Sequence, residues 1–245
     1  MGGAADIGCP AGRPAMIAVL IPAHNEADDI VGCLTAVFVA ASHPDLREPV
    51  DVIVAVDRCT DATAKIASLM GARVVDVASP WGVGVARAAA AAAAIDLGAD
   101  WLAMTDADSR VPADWLIEQR RIGAGVFCGI VEVADWSGYA DEVRSAFEQT
   151  QPRGEGHGRI HGANLGVSAE LYRRCGGFPS LACSEDVALV RALQRIGAPI
   201  RWSPRAVVIT SARRQARATG GFSDFLKQLE ACPPVEAHAV AVPTV

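Results

Sequence analysis

The chemistry-bearing residues of this chain are carboxylates that follow short apolar runs. Asp106-Ala107-Asp108 comes directly after Trp101–Thr105 (WLAMT), a run apolar enough for a strand covered on both faces. Two carboxylates one residue apart repel each other and lose hydration unless a cation sits with them. A divalent ion shared with phosphate oxygens meets that need, and oxygen donors suit Mg2+ or Mn2+ better than Zn2+. An Asp-rich turn capping the helix that opens at Pro112 is the alternative reading. Asp57 ends another apolar run, Val50–Val56, and Pro22-Ala23-His24-Asn25-Glu26 follows a third, Met16–Ile21. If these runs are parallel strands, their carboxyl ends share one rim, where open α/β sheets bind ligands. Arg87, from an intervening helix, adds a cation for phosphate.

The elements that must position these residues alternate. Strands are expected at Met16–Ile21, Val50–Val56, Arg73–Val77 and Trp101–Thr105. Helices are expected over Ala27–Ala41, after a cap at Thr60 or Asp61, and through the seven alanines Ala88–Ala94. That repetition of strand and helix predicts βαβ crossovers and a mostly parallel, Rossmann-like sheet, hence an α/β fold. The second half is less regular. A strand is expected at Val126–Val133, a helix at Ser137–Gln149 and a mobile loop at Gln151–Arg159. Ile160–Val167 reads as a strand, Ser168 and Ser184 as helix caps, Ile200–Trp202 and Ala206–Thr210 as two strands, and Phe222–Ala231 as a last helix. The expected organisation is a disordered segment over residues 1–15, one domain over 16–231 divided near residue 115, and a flexible tail over 232–245.

Composition narrows the classes. The chain has 245 residues and a net charge of −6, which argues against a general nucleic-acid binder. Seven cysteines without CxxC pairing suggest a reducing, cytoplasmic setting with neither a disulfide frame nor a zinc site. The longest apolar run is shorter than the roughly 18 residues of a membrane span. Five arginines and no acid fall between Arg201 and Arg217, leaving room for a local anion site.

Six motifs carry a resemblance. They are IPAHNE (Ile21–Glu26), VDRCTDAT (Val56–Thr63), GVGVAR (Gly82–Arg87), TDADS (Thr105–Ser109), HGANLGVSAELYRRCGGF (His161–Phe178) and SEDVALVRAL (Ser184–Leu193). In this order and spacing the chain resembles the family 2 glycosyltransferases of GT-A fold, from about Met16 to Leu229. The resemblance implies transfer from a nucleotide sugar, with a UDP-sugar the default, to an acceptor that is a small molecule or is lipid-linked. It implies that Pro22, Ala23, Glu26 and Asp57 hold the nucleoside and that Arg87 braces base and phosphates. Asp106 and Ala107 would meet the ribose side, with Asp108 and Asp106 holding Mg2+ or Mn2+. Gly162, Ala163 and Asn164 would wall the sugar and acceptor pocket. Asp186, with Glu185 beside it, would be the general base of an inverting transfer; a carboxylate at a helix start is also what ordinary capping produces.

The chain departs from that pattern in two places. QRIGAPIRW stands where polymer-forming members carry Gln-x-x-Arg-Trp, so a processive synthase is not expected. Thr210-Ser211-Ala212-Arg213-Arg214 stands where some GT-A enzymes supply a metal-binding histidine, so Arg213 or Arg214 is a candidate for phosphate charge; a solvated basic loop is the alternative. His157 and His161 rank low as ligands. Trp101 and Trp115 are expected in the core, and Trp81 and Trp136 are weaker candidates for the sugar pocket. A sugar-phosphate nucleotidyltransferase would need a glycine-rich cationic loop after the first strand, where PAHNE stands. A dinucleotide-dependent dehydrogenase would need G-x-G-x-x-G there. A catalytically inactive nucleotide-binding relative is the third alternative.

Overall fold

The computed structural model describes residues 15–77, 79–80, 82–121, 123, 125–215 and 220–231. The expected terminal segments, apart from Ala15, and Trp81 lie outside them. A seven-stranded sheet of order β3-β2-β1-β4-β6-β5-β7 organises the chain. Its left half is the predicted alternation: β1 (Ile17–Ala23), α1 (Ile30–Ala41), β2 (Val50–Val56), α2 (Thr63–Leu69), β3 (Arg73–Asp76), α3 (Val83–Leu97) and β4 (Trp101–Met104). These four strands are mutually parallel.

The alternation of β1 builds two cores. Ile17, Val19 and Ile21 face α1 and α2, while Ala18 and Leu20 face the small side chains of α3. Ala86, Ala90, Ala91 and Ala94 are buried there, and their size lets α3 lie close on β1 and β2. Pro22 is tolerated in this central strand because the last β1–β4 pair is Leu20↔Met104. Its missing N–H would face a neighbour that has already ended.

The right half comprises α4 (Trp115–Arg121), β5 (Val126–Val133), α5 (Asp141–Gln149), β6 (Leu165–Ser168), α6 (Ala169–Arg174), α7 (Glu185–Arg195), β7 (Ile200–Thr210) and α8 (Phe222–Ala231). Strand β6 runs antiparallel between β4 and β5, and β7 is parallel to β5. Three expectations are corrected here. Residues 160–164 are not strand: Gly162–Asn164 form a 3-10 turn, and only Leu165–Ser168 join the sheet. The two strands expected near residues 200–210 are one, β7, whose register against β5 slips where Ala206 takes φ +53°. Ser184 sits at the head of α7 with φ +58° and makes no side-chain cap. Ser168 does cap α6, accepting from the Leu171 N–H.

A third apolar cluster, Tyr139, Val143, Phe147, Ala212 and Leu226 with Phe222 and Phe225 against it, packs α5 onto α8. Among the described residues, no helix is long and apolar enough to cross a membrane.

Candidate active site

Because β1, β2 and β4 are parallel and in register, the residues after them meet on one rim. The loops there are tied by short side chains. Glu26 N–H donates to Thr63 Oγ1 (2.8 Å), Ala27 N–H to Asp61 Oδ2 (3.0 Å) and Thr60 N–H to Asn25 Oδ1 (2.8 Å). These bonds hold the β1–α1 turn against the β2–α2 turn, so Pro22, Ala23 and Glu26 form a fixed wall beside Asp57. Asp57 is buried; its carboxylate accepts from Gly82 N–H (3.0 Å) and Arg58 Nε (3.1 Å). Gly82 reaches it at φ +126°, backbone open to glycine.

Arg87 is the hub of the site. Its guanidinium is buried on α3 and binds three segments at once: Asp106 Oδ1 (2.5 Å), the Gly162 carbonyl (2.7 Å) and Glu185 Oε1 (3.0 Å from Nε). The Glu185 contact is an ion pair without hydrogen-bond alignment, since Nε–H has no hydrogen-bond partner. Burial works against the Arg87 charge, but Asp106, Glu185 and Asp186 hold it on. Burial raises the Glu185 carboxyl, opposed by Arg87. Glycines permit this approach. A Cβ on Gly162 would collide with the Arg87 guanidinium, and one on Gly84 with the Pro179 carbonyl.

Glu185 and Asp186 therefore part company. Glu185 is buried against Arg87, as its counter-ion. Asp186 instead accepts from Gly162 N–H (2.7 Å) and from its neighbour's N–H at Val187 (2.7 Å).

Asn164, expected in the wall of the sugar and acceptor pocket, spends its side chain on the protein itself. It is fully buried; Oδ1 accepts from Trp115 Nε1 (2.9 Å) and Nδ2 donates to the Ile130 and Ala206 carbonyls (2.8 and 2.9 Å). With its polar atoms engaged it fastens the 162–164 turn to α4, β5 and β7, and Gly162 and Ala163 are buried beside it. Ala163 and Ala107 are likewise buried in the core, so contact with a ligand there falls to the backbone. Trp115 and Trp101 are core residues as expected; Trp101 Nε1 donates to Gln119 Oε1. Trp136 packs against Tyr139 and Phe147 in the α5–α8 cluster.

The second cluster of charge surrounds Arg213. Arg110 exchanges backbone bonds with Ile209 (2.8 and 3.0 Å), and Ser109 Oγ donates to Thr210 Oγ1 (2.9 Å). The end of β7 is thereby stitched to the Asp106–Asp108 turn, and Arg213 follows three residues on. Its guanidinium grips Glu26 through both nitrogens (2.7 Å each), Asp108 at 3.1 Å and Asp29 at 3.5 Å. Burial pushes the Asp108 carboxyl up to about 7, with Asp106 and Glu26 adding and Arg213 opposing. Arg214 goes elsewhere: it binds Glu230 (2.6 and 3.0 Å) and the Gly138 carbonyl (2.7 Å), 4.7 Å above the Tyr139 ring. Its charge props α8 instead of facing the rim, which leaves Arg213 as the phosphate candidate. Sequence reasoning misses Asp29 because it lies in the acidic stretch before α1, which reads as ordinary helix-start charge.

Among the described residues, no three His, Cys, Asp or Glu side chains form a complete metal cage. A cation that keeps phosphate and water oxygens needs only one or two carboxylates. Glu26, Asp29 and Asp108 outnumber the one guanidinium among them, so the site has negative charge to spare. The donor set fits Mg2+ or Mn2+ held mainly by Asp108, since Asp106 is turned to Arg87.

The model of the family described as "Glycosyl transferase family 2" matches residues 18–171. The chain belongs to that family. No curated protein matches it. Among solved structures, S. aureus TarS 1-349 in complex with UDP-GlcNAc superposes with a TM-score of 0.64 at 14% identity, covering 88% of this chain and 65% of that one. The mannosyltransferase PcManGT from Pyrobaculum calidifontis, in complex with GDP-Man and Mn2+, gives 0.60 at 20% identity, covering 84% and 59%. Glucosyl-3-phosphoglycerate synthase from Mycobacterium tuberculosis, in complex with phosphoglyceric acid, gives 0.56 at 20% identity, covering 81% and 73%. The chain thus spans less than two thirds of the TarS and PcManGT chains. The fold is that of the GT-A glycosyltransferases, as the motifs implied.

Proposed function

We propose that this chain transfers a sugar from a nucleoside diphosphate sugar to an acceptor hydroxyl, with inversion and with Mg2+ or Mn2+. One observation carries the reading: the Arg87 guanidinium joins Asp106 on the donor rim to Gly162 and Glu185 on the far side, beside Asp186. Donor and acceptor chemistry would therefore meet at one buried cation. Pro22, Ala23, Glu26 and Asp57 form the nucleoside wall in this reading, Asp108 supplies the metal-facing carboxylate, and Asp106 holds Arg87 beside it. When bound, the metal supplies positive charge to the departing diphosphate. Arg87 supplies more from a buried, fixed position, and Arg213 adds its charge from beyond the end of β7.

Asp186 is the general base. Its backbone hydrogen bonds fix the carboxylate's aim, and Glu185, engaged by Arg87, orients the hub from the other side. A UDP-sugar is the first donor to try and a GDP-sugar the second; the UDP-GlcNAc and GDP-Man complexes of the structural neighbours support that order. The acceptor is a small molecule or a lipid-linked species. The five free thiols among the described residues suit a cytoplasmic, reducing setting.

The test is a panel of UDP-, GDP- and dTDP-sugars, read as release of nucleoside diphosphate and as thermal stabilisation, with and without Mn2+. One base should stabilise the protein in a metal-dependent way, and the effect should vanish in Asp108→Ala. Asp186→Asn should keep nucleotide binding while losing about 10²–10⁴-fold in kcat. Equal stabilisation by ATP and NAD with no metal effect would falsify the assignment.

A further inference from the structure

Arg213 stands in a position that the donor reading alone does not explain. It occupies the Asp108 carboxylate that a metal would use, and both oxygens of Glu26, a residue of the nucleoside wall. Its own backbone is pinned: Ser223 Oγ donates to its carbonyl (2.8 Å), and its N–H donates to Ser211 Oγ (3.3 Å). The side chain can therefore swing about a fixed point, while three carboxylates keep it charged and close by.

We propose that Arg213 is an exchangeable internal counter-ion that couples nucleotide binding to metal binding. Without donor, its guanidinium neutralises Glu26 and Asp108. When a nucleoside diphosphate enters, the guanidinium turns to the diphosphate, and Asp108 is released to the divalent ion. This rests on the donor reading given above and adds a linkage to it. Metal alone must compete with Arg213 and binds weakly. Nucleotide removes the competitor, so each ligand raises the affinity for the other by the same factor. No covalent step is involved.

Titration of Mn2+ alone, followed by the EPR signal of the free ion, separates this from a static role. Removing the competitor should tighten Mn2+ binding in Arg213→Met, by on the order of tenfold, an ordinary size for linked sites. In the same variant, UDP or GDP binding measured calorimetrically with Mn2+ should weaken, and the ratio of Mn2+ affinities with and without nucleotide should fall toward one. A scaffolding role would lower both affinities together. Arg213→Gln, which keeps a hydrogen-bonding group for Glu26, should show the same opposite signs and serves if the methionine variant does not fold. Unchanged or weaker Mn2+ binding in the folded variant overturns the exchange while leaving the donor reading intact. Failure of the wild-type protein to bind either nucleotide, with or without Mn2+, overturns the donor reading itself and the exchange with it.

Discussion

Arg87→Met tests the hub most directly. Methionine keeps much of the buried stem but removes the charge, leaving Glu185, whose side chain is 5% exposed, without its counter-ion. Breaking a buried pair from one side costs about 3–5 kcal/mol, because the remaining charge is stranded. Asp106 adds little to this, since its side chain is 36% exposed and water screens it. Burial already raises the Glu185 carboxyl, so it escapes part of the penalty by taking up a proton. The expected cost near pH 7.5 is therefore at the low end, about 3 kcal/mol, or a fall of about 6–12 °C in Tm for a domain of this size. The cost should shrink at pH 5.5, where that proton is easier to acquire. Arg87→Met/Glu185→Gln should recover about 2 kcal/mol, since removing both partners is far milder than removing one. Urea denaturation of the two variants at both pH values is the assay. A single-variant cost under about 1 kcal/mol, or a double variant no more stable than the single, refutes the reasoning.

Asn164→Ala should cost about 3 kcal/mol in urea denaturation, because it orphans the Trp115 N–H and two buried carbonyls at once; a loss below about 1 kcal/mol would mean that this knot does not hold the wall. Stability should depend on pH through two groups that oppose each other in the metal-free protein. Burial holds Asp108 at about 7 against 3.8 when unfolded, so its contribution is full below about pH 4 and declines as pH rises to about 7. Burial, with Arg159 and His157 adding, holds His161 at about 4 against 6.5, so its contribution is full above pH 6.5 and declines as pH falls to about 4. Each slope is about 1.4 kcal/mol per pH unit, and between about pH 4.5 and 6.5 they nearly cancel. Asp108→Asn should therefore lose stability on acidification across that window, and His161→Gln should gain it. Parallel wild-type and variant curves would show that neither group titrates as the structure implies.

Much of this fold can be read from local pattern, because the strands that carry the rim are short, apolar and bounded by proline or acid. Strands β2 and β5 and helix α8 fall at the residues their sequences predict. Several of the misses trace to long-range contacts that local preference does not reveal. IHGANLGV has the composition of a strand, yet the chain turns at Gly162, whose carbonyl is taken by Arg87 and whose N–H is taken by Asp186. Asn164 is expected in the pocket wall, but its hydrogen-bond partners come from β5, β7 and α4, which no local spacing reveals. The double role expected of Glu185-Asp186 divides for the same reason: α3 delivers a cation to one of them only.

The arginines follow a rule that could not be seen in the sequence. Arg87 and Arg213 each bind acids from at least two separate segments, so the two charge clusters of the rim are built from non-local pairs. A carboxylate left alone at this depth would be driven to take up a proton, as Asp108 partly is even with Arg213 beside it. Both guanidinium groups are thus paired already, and an anionic ligand that takes either one as its partner displaces a carboxylate from it. That displacement selects for ligands rich in phosphate oxygen, which can take over a guanidinium without leaving it dehydrated and unpaired.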